Sequence, residues 1–323
     1  MSKRVIWRRG MRLSSETFEL MERLHATGVN AAAKLGAGAR MGLYCGEKPF
    51  ELGVNVQGNF LEVTTLRCDA ITRGGVLVNI EFDSRFTNNK DTRVEIPSGA
   101  ESKALYLVLE IDPEGWMETG VETVEQEFLF KLRTDESALG DNELPLGLLV
   151  YEYGWRLDET SFVPPCLYVE AHDKYVRQLS RAVNLAKEMM NKCLSFTKVT
   201  EINLLSRLLE TSTDVFHRLD KERDFLTPEE LLVGVERLVG AFVIGCQLEE
   251  ELELDDPDPY YDYIRKTYDK KNLYRDIETG LNLVAEINNK LELAFTAKHE
   301  KPKPKIKPEV EEDWKKNIKV VKL

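Results

Sequence analysis

The stretch Leu157–Met189 reads LDETSFVPPCLYVEAHDKYVRQLSRAVNLAKEM, and it divides the chain into two halves of different character. Up to about Val169 the sequence runs as short apolar segments broken by glycine. After Ala171 it takes on helical spacing, with Tyr175, Val176, Leu179, Val183 and Ala186 on one stripe. Between the halves stand Val163-Pro164-Pro165-Cys166. Two consecutive prolines hold the backbone extended and offer no N–H donors, so they form a stiff joint that neither a helix nor a central strand can absorb.

Working back from the joint, the period is two. FELGVNV and FLEVTTL flank Gln57-Gly58-Asn59, which predicts a tight hairpin turn. Gly74-Gly75 predicts a second turn before VLVNIEF, and further strands are expected in KALYLVLEI, QEFLFKLR and LPLGLLVYEY. No helical segments intervene, so a βαβ arrangement is excluded and an antiparallel sandwich or barrel is expected. Ahead of the strands, Ser14 or Ser15 is placed to cap a short helix carrying Phe18 and Met21. The small-residue run AAAKLGAGAR has no assigned structure at this level, and residues 1–13 read as an extended arm.

Working forward, a second helix is expected over Thr200–Leu219, with Leu204, Leu205, Leu208 and Leu209 facing inward. A third begins at Thr227-Pro228-Glu229-Glu230, which supplies an N-cap, a proline at the first position and a glutamate at the third. It should run to about Glu251. The acidic break EEELELDDPDP follows, where Pro257 and Pro259 forbid a continuous helix. A last helix is expected over Asn272–Lys298. The expected class is therefore α+β, with an N-terminal antiparallel β-sandwich followed by a four-helix bundle. The division is arm 1–13, sandwich 14–169, bundle 170–298 and a Lys/Pro-rich tail 299–323.

The 323 residues carry a formal net charge of −12, which speaks against nucleic acid as the main partner because phosphate binding needs a basic surface. The five cysteines, Cys45, Cys68, Cys166, Cys193 and Cys246, form no CxxC pair, so neither a zinc site nor an oxidised framework is expected. The most apolar helical run, Leu231–Leu248, holds Glu236 and Arg237 near its middle, which marks a core helix of a water-soluble protein. MSKRVIWRRGMRLSSE is basic without the apolar core of a signal peptide, and the expected location is the cytoplasm.

Chemistry-bearing patterns are sparse. His25, His172, His217 and His299 are far apart, with no HxxxH pair, and are expected at the surface or at helix caps. Asp255, Asp256 and Asp258 lack the glycine and distal glutamate of a calcium loop. No phosphate-binding glycine loop and no GxSxG elbow occurs. No catalytic residue, metal, cofactor or small-molecule substrate is expected. Gly234, Gly240, Ala241 and Gly245 on the third helix suggest close backbone approach, inside the bundle or between copies, since glycine costs roughly 1 kcal/mol in a helix interior.

The opening IWRRGMRLSSETFEL resembles the start of the TssK family, the type VI secretion baseplate subunits, on Trp7, Gly10, Met11, Leu13 and Phe18. PFELGVNVQGNFLEVTTLRCDAITRGGVLVNI resembles the family's first hairpins. LPLGLLVYEYGWRLDETSFVPPCLYVEA is similar to its strand pair and joint, on Phe162, Val163, Pro164, Pro165 and Cys166. The order and spacing of these motifs cover roughly residues 1 to 298.

The resemblance implies a shell domain similar to the shoulder of phage receptor-binding proteins, joined to a bundle that drives trimerisation. It implies wedge partners of the TssF and TssG kind, and no enzymatic activity. The arm is expected either to pack on the chain's own sandwich or to meet the wedge through Trp7, Gly10, Met11 and Phe18, and Pro164 and Pro165 are expected to form the interdomain joint. The family's membrane-facing head would begin where this sequence ends. The tail, with Val310, Trp314, Ile318 and Val321 at helical spacing, is expected to be either a solvated terminus or a short amphipathic helix that anchors on a membrane-side component through Trp314. A phage-tail adaptor or receptor-binding protein is the alternative reading.

Overall fold

A computed structural model describes residues 14–38, 40–46, 49–84, 92–100, 103–118, 124–135, 139–197, 203–248, 257–265 and 273–299. It begins with α1 (Ser15–Ala37), whose first-turn amide Phe18 N donates to the Ser14 carbonyl at 3.3 Å. The helix is far longer than the sequence pattern suggested. Its second half is the run NAAAKLGA, where alanine favours helix strongly but supplies no apolar contrast from which a period could be read.

Two antiparallel sheets follow. The first is built on β3 (Phe60–Ile71), which pairs with β1 (Gly42–Leu43), β2 (Glu51–Gln57), β4 (Leu77–Asp83) and β5 (Arg93–Glu95). The second has the order β7 (Val124–Arg133), β6 (Leu105–Glu118), β8 (Glu143–Tyr151), β9 (Trp155–Leu157). On β4, Val78, Ile80 and Phe82 point inward while Leu77, Asn79 and Glu81 face out, the alternation of a half-buried strand. β3 changes phase part-way. Val54 pairs with Val63 and Gly53 with Thr65, so Thr64 is an extra, bulged residue, and the inward set passes from Leu61 and Val63 to Leu66, Cys68 and Ala70.

Leu105, Leu107, Leu109 and Ile111 of β6 meet that set from the opposite sheet, together with Phe128, Phe130, Leu144, Leu146 and Leu149. One apolar cluster thus fills the space between two sheets, as in a sandwich. At its rim Glu143 is buried. Burial alone would raise its pKa, but hydrogen bonds from Arg133 and from Gly140 N at 2.9 Å hold the carboxyl below the usual range.

The C-terminal half packs α2 (Asp173–Thr197), α3 (Asn203–Lys221), α4 (Pro228–Leu248) and α6 (Leu273–His299) around a second apolar cluster, with the short α5 (Asp258–Arg265) beside α4. The buried apolar residues of α2 are Tyr175, Leu179, Ala182, Ala186, Met189 and Cys193, an alternation of four and three steps. The capping box at α4 forms as its sequence requires: Glu230 N donates to Thr227 Oγ1 at 3.2 Å, and Thr227 N to the Glu230 carboxylate at 3.0 Å. α5 lies where the prolines indicated a break. Pro259 stands in its first turn, where no intrahelical N–H is required, so it interrupts nothing.

The glycines of α4 divide by environment. At Gly234 an added methyl would make ordinary contacts with Leu219 and Val215 at 3.5–3.8 Å, whereas at Gly245 it would overlap the fully buried Leu204 side chain. Only Gly245 is demanded by packing within the chain. Gly245→Ala should therefore lower stability by about 1–3 kcal/mol, while Gly234→Ala should be neutral or stabilising by up to about 1 kcal/mol. Chemical denaturation of the two variants, followed by helical circular dichroism, checks the contrast, which equal midpoints would refute.

Candidate functional site: the joint and the cleft beside it

Pro164 and Pro165 lie between β9 and the helical turn Val169–Ala171, with Pro164 buried. Having no N–H groups, the prolines can bind their neighbours only through carbonyls. Leu43 N donates to Pro165 O at 2.8 Å, and Leu167 N returns a bond to Leu43 O at 2.8 Å, making a parallel bridge between Leu43 and Cys166. The Cys166 thiol donates to Pro164 O at 3.2 Å. Approach this close requires Gly42, which has φ 144° and where a Cβ would stand 2.5 Å from Pro165 O.

The same segment is tied on its other side. Val169 N donates to Leu226 O at 2.8 Å, in the loop that leads into α4, and Arg223 pairs with Glu170 at 2.9 Å. Lys174 on α2 donates to Phe162 O at 3.0 Å. Leu167 also packs with Ala37 of α1 and Ile71 of β3. The backbone is thus hydrogen-bonded to the first sheet through β1 and to the bundle through Leu226. Each such bond contributes only about 1 kcal/mol net, but leaving buried partners such as those of Leu43 unmet would cost more.

Beside the joint, the sandwich and α2 enclose a cleft of about 740 Å³, lined by Phe50, Leu157, Asp158, His172, Lys174 and Gln178, among others. His172 caps α2: its carbonyl accepts from Tyr175 N and Val176 N, and its Nδ1 accepts from Lys174 N at 3.1 Å. The ring lies 5.7 Å from that of Phe50. Burial, and then the nearby Lys174 ammonium, push its pKa down to about 4, which keeps Nδ1 free to accept. Asp158 accepts from Thr160 N at 2.9 Å, Ser161 N at 3.0 Å and both hydroxyls. Burial opposes its ionisation, but the Ser161 and Thr160 bonds prevail and hold the carboxyl well below its usual range.

Gln178 is almost fully buried. Its amide nitrogen donates to Tyr274 O at 2.9 Å, and its Oε1 has no partner among the described residues. Neither His172 nor Asp158 is placed as a free acid or base, since the acceptor atoms each would use are already engaged. Both side chains thus serve the local structure of this wall.

Solved structures share this architecture, among them the two that follow. A chain of the type VI secretion system TssK–TssF–TssG baseplate subcomplex matches with a TM-score of 0.56 and 16% identity, over 89% of this chain and 99% of that one. A crystal structure of TssK matches with a TM-score of 0.57 and 12% identity, over 89% of this chain and 69% of that one. The chain has a TssK-like fold. At these identities the likeness is one of fold, and no family model and no curated protein matches the sequence.

The residues that carry the TssK resemblance are spread over the molecule. Phe162, Val163, Pro164, Pro165 and Cys166 make up the joint segment, and Phe18 lies exposed on α1. Trp7, Gly10, Met11 and Trp314 lie outside the described residues, as do Asp255 and Asp256. The sequence reading did not include Gly42, Leu43, Lys174 or Gln178 in any site. Their roles depend on partners distant in the chain, and only His172, directly ahead of a helix, carried a local signal as a cap. Among the described residues no group of three or more His, Cys, Asp or Glu is placed to hold a metal ion.

His172 gives the cleft a pH signature. Between pH 6.5 and about 4 the unfolded chain takes up a proton on this side chain that the folded chain refuses. Its contribution to stability is complete above pH 6.5 and is lost as pH falls towards 4. His172→Asn keeps a capping acceptor and cannot titrate. Unfolding midpoints at pH 7.5 and 4.5 should show the wild type losing on the order of 2 kcal/mol more than the variant, allowing for partial solvent screening. Parallel losses would refute the assignment.

Proposed function

We propose that this chain is a structural subunit of a type VI secretion baseplate, a trimeric connector between the baseplate wedge and the membrane-anchored complex. The observation that carries the reading is the TssK-like fold over 89% of the chain. Its mechanism is binding without turnover. Its partners are two further copies of itself, wedge proteins of the TssF and TssG kind, and a membrane-side component. It works in the cytoplasm at the docked baseplate. No helix among the described residues is long and apolar enough to cross a membrane.

In this reading residues 14–169 are the shell and 170–298 the trimerising bundle. Residues 1–13 are an arm that grips the wedge through Trp7, Gly10 and Met11, with Phe18 beside them. Pro164 and Pro165 are the interdomain joint, and a connector gains from a joint hydrogen-bonded on both sides because a flexible linker would decouple the two bodies. Self-association is supported by partly exposed apolar side chains on the bundle. Val233, Ile244 and Ile264 are about two-fifths exposed, and at Gly240 an added methyl would meet only Ile264, at 4.0 Å.

The reading makes three demands. Mass photometry at micromolar concentration should give three copies, and a monomer would overturn it. Deleting residues 1–13 should leave the fold and oligomer intact and weaken co-purification with the wedge, to which buried aromatics such as Trp7 would contribute roughly 2 kcal/mol or more. The tail, 299–323, is the proposed tether. Trp314→Ala and removal of residues 310–323 should each keep the trimer and reduce its recruitment to the membrane-side assembly in cells. Normal recruitment of both variants would remove the tail from the mechanism.

A further inference from the structure

α2 turns a polar row towards the cleft beside the joint. Lys174, Arg177, Gln178 and Arg181 recur at helical spacing on a face apart from the apolar stripe of that helix. Arg181 is held by Glu278 and Asn282, both at 2.7 Å. Arg177, exposed at the mouth, uses its Nε on Asp173 O at 3.3 Å, and Lys174 donates to Phe162 O. Among the described residues neither Arg177 nor Lys174 has a carboxylate in ion-pair contact. Of the acids in the cleft, Asp158 is taken up by Thr160 and Ser161, and Glu51 by Arg67.

The two cations stand beside an aromatic and apolar wall that includes Phe50, Leu157, Phe162 and Tyr274. Gln178, 3% exposed, lies deeper. Its Nε2 faces two acceptors, Tyr274 O at 2.9 Å and Glu278 Oε2 at 3.3 Å, so the amide cannot be turned over and Oε1 is left for a donor. An apolar pocket with a single acceptor suits tryptophan, whose flat ring carries one N–H and accepts nothing. Cations at the mouth call for carboxylates next to that ring. The chain holds this combination in EVEEDW, where Glu309, Glu311, Glu312 and Asp313 precede Trp314.

The length of chain also fits. α6 starts at the cleft, with Tyr274 in its wall, and its run to His299 covers about 37 Å at roughly 1.5 Å per residue. Residues 300–311 hold three Lys-Pro steps, and twelve residues of that kind span about 37 Å when extended. Other segments fit less well. Residues 1–13 bring Trp7 among arginines, the wrong charge for this mouth. Residues 249–256 are acidic but have no aromatic side chain, and they leave α4 about 30 Å from its capped start.

We propose that Trp314 docks in the cleft of its own chain, its indole N–H donating to Gln178 Oε1 and the carboxylates ahead of it facing Lys174 and Arg177. The contact restrains the tail: while it holds, Trp314 is withheld from other surfaces, and a membrane-side component must compete for it. This extends the tether reading above without requiring it.

The test places a photo-crosslinking residue at Glu159, which lines the cleft and is exposed, in the full chain. Irradiation should join Glu159 to a tail peptide containing Trp314, in a product with the mass of one chain. Trp314→Ala and Arg177→Glu should each lower the yield at least about fivefold with the unfolding midpoint unchanged. Adding Glu311→Lys and Glu312→Lys to Arg177→Glu should restore it. Absence of the tail crosslink, or a yield indifferent to these variants, overturns the proposal and leaves the tether, whose test is recruitment in cells, standing. A product of two chains overturns docking within one chain, and a crosslink to any other segment overturns the choice of occupant.

Discussion

The structure depends on what becomes of the backbone at Pro164 and Pro165. Two residues without N–H groups cannot enter a sheet as ordinary members, and a buried carbonyl left without a donor is costly. The fold meets this with Leu43, whose N–H reaches Pro165 O and whose own carbonyl receives Leu167 N. That exchange is possible only because Gly42 lets the two backbones come together. From the same segment Val169 continues to Leu226 and so to the capped start of α4. Sheet, joint and bundle therefore share one run of main-chain hydrogen bonds, and the two apolar cores are held in register by it.

Other features take their place around this tie. The cleft arises where the sandwich and α2 diverge from the joint, and its walls are stiff because the polar groups in them are mostly engaged. His172 is fixed as a neutral cap, Asp158 as an ionised acceptor of Ser161 and Thr160, and Arg181 in a 2.7 Å pair with Glu278. Among the described residues Gln178 Oε1, buried in this wall, has no hydrogen-bond partner. α1, by contrast, touches the sandwich mostly along its C-terminal half and shows its apolar side outward.

The sequence was most readable where the physics is local. Strands with a buried and an open face, such as β4, declare themselves by alternation, and the α4 capping box by residues three apart. β1, β5 and β9 are two or three residues long, too short for any period to show. The prolines around α5 were read as breakers because a pattern does not say that a first helical turn has N–H groups to spare. The joint itself was visible as Pro164-Pro165. Its partner was not, because Leu43 is buried by residues far away in sequence. The same holds for the cleft, whose lining comes from several strands and two helices.

The bridge from Leu43 to Cys166 also sets an order of events during synthesis. Leu43 leaves the ribosome early, yet the carbonyl its N–H needs belongs to a residue made only after the last strand of the sandwich. Until then the edge of β3 at Ala70 and Ile71 can hold β1 only as an isolated two-residue strand, too short to persist alone. The sandwich should therefore reach its final form only when the start of the helical half arrives. Completion of the nascent sandwich would then await translation of Pro164 and Pro165, and a chain stalled before them would expose an open sheet edge to its neighbours.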